Sequence, residues 1–275
     1  MLGELDKCNR RWLSAGEFSS DRMGGTLTTE LYWQKHWDDH SSSRRCAGYM
    51  ERLMTRVFDE FFEGARKGQT CIEIGCGDSI HLPLIARQYG LSVSGLDFTE
   101  NGCRLAAERL HEEGLDGVMY QRDLFGANDD LHGKFDFVAS FGLVEHFDDP
   151  SQPLQAMRAF LKPGGRLLTT MPNVSPGSLH VFFQRLVGPK ILAVHHLMSA
   201  EELRDFHQRA GYQVVRYGYR GMGVLTVPDE GTGKHPICGI CCDALRVVRR
   251  SLELVGVWPP GYHLTGQMMM CIGTC

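Results

Sequence analysis

Residues 71–79 read Cys71-Ile72-Glu73-Ile74-Gly75-Cys76-Gly77-Asp78-Ser79, a short apolar run that meets an acid and then turns through two glycines. The run suits a buried β-strand and the turn suits the passage from that strand into a helix. Glycine at 75 and 77 lets the backbone approach a ligand closely, in conformations that a Cβ would penalise. Open α/β sheets bind ligands at this place, beyond the carboxyl ends of their strands. Glu73 is positioned to accept hydrogen bonds from a positively charged amino group.

Outward from this turn, short apolar runs alternate with helical stretches. Strands are expected near 70–74, 92–97, 117–122, 135–140 and 165–171, and helices near 79–88, 99–113 and 151–161. That alternation is the signature of βαβ units around a parallel sheet. Pro150-Ser151 opens the third helix and Pro163-Gly164-Gly165 stops it. Ser199-Ala-Glu-Glu202 resembles a capping box that starts a helix over 199–210, and strands near 212–219 and 264–273 complete the sheet.

Upstream, Tyr49, Met50, Leu53, Met54, Val57, Phe58, Phe61 and Phe62 recur at the spacing of an amphipathic helix within 44–66. Residues 1–40 read as irregular, with an aromatic group at Tyr32, Trp33 and Trp37. The organisation expected is an N-terminal cap or lid over 1–66 and one α/β domain over 67–275. Two excursions interrupt that domain, near 172–197 and 220–262, the second helical over 238–256.

A formal charge of −4 provides no global basic field for nucleic acid. The N-terminus lacks the pattern of a secretion signal and no stretch of about 18 apolar residues occurs. Ten cysteines without export read as reduced thiols, so a cytoplasmic location is expected.

Further acids end further strands. Asp97-Phe98 follows the second strand 24 residues after Glu73, Asp123-Leu124 follows the third, and the fourth opens through Ser140-Phe141 into Gly142-Leu-Val-Glu145-His146. Leu161-Lys-Pro-Gly-Gly165 precedes the fifth. This ordered set, across roughly 70–215, resembles the class I S-adenosylmethionine-dependent methyltransferases. The resemblance implies a Rossmann-like, seven-stranded, mostly parallel sheet with helices on both faces, and S-adenosylmethionine as methyl donor. It implies that Glu73, Gly75 and Gly77, with Cys76 between them, hold the methionine end of the cofactor. Asp97 would take the ribose, Phe98 an adenine face, Asp123 and Leu124 the adenine, and Ser140 and Phe141 would flank the sulfonium. The family's third small residue in the first loop is Ser79 here, still small and able to cap a helix.

The rival within this fold is a nicotinamide dehydrogenase. The dinucleotide fingerprint wants a third glycine, and Asp78 at the helix start would repel a pyrophosphate. A catalytically silent cofactor- or partner-binding domain is the other alternative, because methyl transfer makes no catalytic residue obligatory.

His146 stands beside the expected methyl position, either as a general base suited to neutral pH or as a group that holds the loop. By resemblance, His195 and His196 lie where related enzymes place substrate-facing residues; the other reading is a polar loop. Tyr32, Trp33 and Trp37 either close over the acceptor as a lid or pin the segment to the domain. Some quinone-pathway methyltransferases carry Glu-x-x-Glu-His for a metal ion; Gly142 replaces the first acid here, so no metal is expected there. His235, Cys238, Cys241 and Cys242 have zinc-like spacing, though buried thiols are the commoner outcome. Residues 244–258, with three arginines among apolar side chains, read as a helix covering a sheet edge or making a dimer contact, with a peripheral membrane helix as the alternative. The acceptor is expected to be a small molecule, with a preference for a phenolic or quinone-like metabolite and the accepting atom (O, N, S or C) left open.

Overall fold

The first strand is buried on both faces because it lies at the middle of a sheet. In the computed structural model, which describes residues 25–38, 48–224, 236–259 and 261–275, that strand is β1 (Thr70–Ile74). It pairs in parallel with β2 (Ser92–Asp97) on one side and β4 (Phe135–Phe141) on the other. Beyond them lie β3 (Gly117–Gln121) and β5 (Leu161–Pro172), also parallel to their neighbours. The last strand, β7 (Met268–Thr274), inserts antiparallel between β5 and β6 (Gln213–Arg220). The resulting order is β3-β2-β1-β4-β5-β7-β6, with the switch in winding direction between β1 and β4. A crevice opens at such a switch point.

Helices cover both faces. Helices α2 (Gly48–Phe61), α3 (Leu82–Tyr89) and α4 (Glu100–Glu112) bury Leu53, Phe58, Leu82, Ile85, Cys103 and Leu110 against one face, where Cys71, Phe137 and Ala139 also point. On the other face α5 (Ser151–Phe160) and α8 (Ala200–Arg209) pack Leu154, Met157, Leu203 and Phe206 with Ile72, Ile74 and Val138. Ser199 forms the full capping box with Glu202 at the start of α8, as its sequence predicts.

Three departures from the sequence reading have physical causes. Residues 30–38 form a helix, α1 (Glu30–Asp38), rather than irregular chain. Thr29 Oγ1 accepts the Tyr32 N–H at its start, and Trp33 and Trp37 share one face at i, i+4. Helix α3 begins three residues later than expected, because residues 79–81 are used for the turn. Strand β5 begins at Leu161 and carries Pro163, Gly164 and Gly165 within it; its pairing with β4 slips between Phe135 and Phe137 to take up the extra residues. The excursion after β5 holds α6 (Leu179–Val187) and α7 (Pro189–Ala193), and the one after β6 holds α9 (Pro236–Leu254).

Cys238 of α9 packs with Phe183 and Val187, and Cys241 and Cys242 lie against the same cluster. Among the described residues these thiols form no group able to hold a metal ion; His235 lies outside the described residues. Ile237, Ile240, Val247, Val248 and Leu254 of α9 are exposed. No described helix is long and apolar enough to cross a membrane.

Candidate active site

Gly75 and Gly77 adopt φ values of +69° and +44°, the left-handed region the sequence reserves for glycine. The Gly77 N–H donates to Asp97 Oδ2 at 2.8 Å, tying the turn to the end of β2. Asp97 Oδ1 accepts from the Thr99 N–H (2.8 Å) and hydroxyl (2.6 Å). Three of the roughly four acceptor positions on this carboxylate are thus taken by the loop itself. Asp97 anchors the turn and also lines the cavity described below. Close approach at the turn also depends on Gly102 in α4, where a Cβ would lie 3.0 Å from Gly77 Cα. The sequence reading passed over Gly102.

Glu73 is 2% exposed, and its Oε2 accepts the Ser79 hydroxyl proton at 2.6 Å. Ser79 Oγ in turn accepts from the His81 and Leu82 N–H groups, capping the entry to α3. Burial pushes the Glu73 carboxyl well above its usual range, and the nearby Asp78 and Asp97 add to that against the Ser79 hydrogen bond. Burial likewise raises Asp97 against its three hydrogen bonds. A cationic group placed between them would be favoured by both.

These residues line a cavity of about 280 Å³ at the switch point, near the lower end of the range for small-molecule sites. Glu73, Gly75, Cys76, Asp97, Phe98, Asp123, Leu124, Phe141, His146, Trp33 and Trp37 all line it, as the sequence reading groups them. Asp123 also accepts the Phe125 N–H in a tight turn after β3. Five expected residues do not line it. Gly77 is covered by Trp37. Ser140 is 1% exposed and points to the opposite face of β4 from Phe141, as strand alternation requires. Tyr32 stands edge-on to Trp33, outside the lining. His195 sits behind His146, with ring centres 4.6 Å apart. His196 turns its ring edge-on to Phe206 and contributes through its main chain, whose N–H donates to Glu145 O at 2.6 Å.

The charge reading of Asp78 is corrected. Asp78 lines the cavity, but Arg109 meets it at 3.3 Å and both side chains are nearly fully buried. Its charge is balanced internally, so it presents no bare repulsion to an anion.

Of the two readings of His146, its surroundings suit the one in which it holds the loop. Burial, with the neighbouring His195, pulls the imidazole down to about 3 against the hydrogen bond to Val194. That shift favours the neutral imidazole. Its Nδ1 faces Val194 O at 2.8 Å, which fixes the proton on that nitrogen because a carbonyl only accepts.

Described residues ahead of α2, among them Thr26, Thr28, Trp33 and Trp37, form part of the cavity wall. Leu27 N–H donates to His146 O, Asp148 N–H donates to Gly25 O, and Thr26 bridges antiparallel to Phe147. Trp33 Nε1 donates to Thr28 Oγ1 at 3.0 Å and presents its ring edgewise to His146, centroids 5.0 Å apart. Thr26, Thr28, His81, Leu143 and Phe147 also line the cavity without having been singled out in the sequence. His81 packs on Phe141 at 4.2 Å between ring centres.

The sequence profile of the methyltransferase-domain family matches residues 46–217. Phosphoethanolamine N-methyltransferase 2 of Caenorhabditis elegans is 29% identical over 170 residues, 62% of this chain and 37% of that protein. The chain thus spans little more than a third of that relative. The ubiquinone biosynthesis O-methyltransferase of Acinetobacter baumannii is 26% identical over 206 residues, 74% of this chain and 82% of that protein. The fold matches phosphoethanolamine N-methyltransferase 2 of Haemonchus contortus, solved with S-adenosyl-L-methionine, at a TM-score of 0.54 and 20% identity, covering 94% of this chain and 60% of that one. The left-handed glycine turn, the buried acids at successive strand ends and the cavity between them fit an adenosyl sulfonium cofactor. The chain belongs to the methyltransferase-domain family, the class I S-adenosylmethionine-dependent methyltransferases.

Proposed function

We propose that this methyltransferase passes its methyl group to an oxygen of a small, flat, phenolic or quinone-like acceptor. The observation that carries this reading is the aromatic part of the cavity wall. Trp33, Phe141 and Phe147 supply aromatic faces there, suited to stack on a planar ring. Among the described residues, the arginine that lines the cavity, Arg122, is held by both nitrogens on Asp130. That arrangement gives little grip on a phosphate-bearing acceptor, as the name of the nematode relative describes, and favours the kind of ring chemistry that the name of the bacterial O-methyltransferase describes.

S-adenosylmethionine supplies an activated methyl group, and transfer is an in-line displacement. The protein's part is to hold nucleophile and methyl in line and exclude water. Trp33 and Trp37, closing as a lid, do the second. The buried acids Glu73 and Asp97 orient the donor from below. An acceptor that enters as an anion needs no protein base, consistent with the lowered basicity of His146.

A radiolabelled-methyl assay with a panel of catechols, hydroquinones and phosphoethanolamine tests the reading. Label is expected in the phenolic products; label confined to phosphoethanolamine would remove it.

A further inference from the structure

Glu145, His146 and His195 come together although 49 positions separate the last two along the chain, and one potential ligand atom from each lies within 4.8 Å of the others. Each of the three is arranged in the way a metal site arranges its ligands. His146 Nδ1 donates to Val194 O at 2.8 Å and His195 Nδ1 donates to Ile191 O at 2.6 Å. Both rings are thereby fixed in the tautomer that leaves Nε2 with a lone pair, the outer support that metal-bound imidazoles almost always show. Glu145 is 1% exposed, and its Oε2 is buried with no hydrogen-bond partner. A buried carboxylate oxygen left in this state costs free energy that a cation would recover. Two main-chain links hold the loops in register: His196 N–H to Glu145 O, and Leu27 N–H to His146 O.

We propose that Glu145, His146 and His195 form a binding site for a divalent transition-metal cation of the zinc or cobalt type, beside the cavity wall that His146 lines. Two nitrogen ligands and one oxygen distinguish it from magnesium or calcium sites, which seek oxygen ligands. Ligand atoms about 2.1 Å from such an ion sit about 3.4 Å apart in a tetrahedron, so a small inward turn of the side chains closes the site. The site also explains how the chain tolerates Gly142: a Cβ at 142 would lie 3.6 Å from Glu145 Oε1, so a longer side chain there would meet the same carboxylate, and His195 serves from the other side instead. Of the three, His146 lines the cavity, so an ion held there would lie at the cavity wall, where a cation favours an ionised oxygen. That last consequence rests on the phenolic reading; the metal site itself does not.

Equilibrium dialysis of the full chain against Co²⁺, Zn²⁺ and Mg²⁺ alone tests it, with no methyl acceptor present. The wild type is expected to bind Co²⁺ and Zn²⁺ far more tightly than Mg²⁺. His195→Ala and Glu145→Gln are each expected to weaken the Co²⁺ site at least tenfold while S-adenosylhomocysteine binding, measured in parallel, reports intact folding. The visible spectrum of the wild-type cobalt form gives a readout that needs no variant, and nitrogen and oxygen ligation without a thiolate charge-transfer band is expected. A thiolate band, tighter binding of Mg²⁺ than of Co²⁺, no cobalt binding, or affinity unchanged in folded variants would overturn the proposal.

Discussion

The indole of Trp37 lies on Gly77 so closely that any Cβ at position 77 would overlap its ring carbons Cζ2 and Cη2. Gly77 is pressed from the other side by Gly102 of α4. The glycine turn is therefore covered by Trp37 of α1 on one side and packed on α4 at Gly102, and its own conformation, at a φ of +44°, disfavours a side chain.

From this contact, Gly77→Ala is expected to cost about 1–3 kcal/mol of stability through backbone strain and collision. It should also push Trp37 off the turn. Trp37→Ala leaves the turn intact and removes its cover, so folding should change little while S-adenosylhomocysteine dissociates roughly tenfold faster, the effect of losing about 1–2 kcal/mol of aromatic contact. Stopped-flow tryptophan fluorescence on both variants separates the two effects.

Asp97→Asn tests the anchoring role. The replacement keeps the shape but gives one of the oxygen positions to an amide that cannot accept from Gly77 or Thr99. Loss of one or two buried hydrogen bonds to a charged group is expected to cost about 1.5–3 kcal/mol per bond, with at least a tenfold loss of cofactor affinity. Urea unfolding and calorimetry should move together. Weakened binding with unchanged stability would instead assign Asp97 to the ligand alone.

Phe58 connects the core to the cavity. It is fully buried, and its ring meets Phe62, Tyr89, His81 and Phe141. Phe58→Ala is expected to destabilise by about 3–5 kcal/mol and to loosen Phe141 on the cavity wall. Thermal unfolding measures the first effect, and a raised KM for the methyl donor the second.

Asp136 predicts an acid limb of stability. Burial would raise its carboxyl, but Lys162, the Thr70 N–H and hydroxyl, and Gln69 outweigh it and hold the group well below the usual carboxylate range. A depressed folded-state value contributes stability that is present above the unfolded value of about 3.9 and lost as pH falls through the folded one. Asp136→Asn should cost about 1–2 kcal/mol at neutral pH. Its deficit against wild type should shrink below about pH 4. Urea midpoints measured at both pH values check the sign.

The sequence makes the central sheet legible because its punctuation is chemical. Glycines with positive φ, acids at strand ends and a Pro-Gly-Gly segment sit where backbone geometry demands them. What is not legible depends on separation along the chain. Arg109 neutralises Asp78 across 31 positions, and His195 joins His146 only because the loops fold together. The pairing of Thr26 with Phe147 is equally remote in sequence. Two differences between sequence and structure had local signals. Ser140 alternates with Phe141 along a strand, so both could not face one cavity. Thr29 followed by Trp33 and Trp37 at i, i+4 marks α1 as a capped helix.

The claim on which the account rests is that the glycine turn and the acids around it receive S-adenosylmethionine. Isothermal titration of the full chain with S-adenosylhomocysteine measures this most directly. One site per chain with a dissociation constant in the micromolar range, near −8 kcal/mol, is the predicted result, abolished or strongly weakened by Glu73→Ala. No detectable heat up to about millimolar ligand, or an affinity indifferent to Glu73, would contradict it.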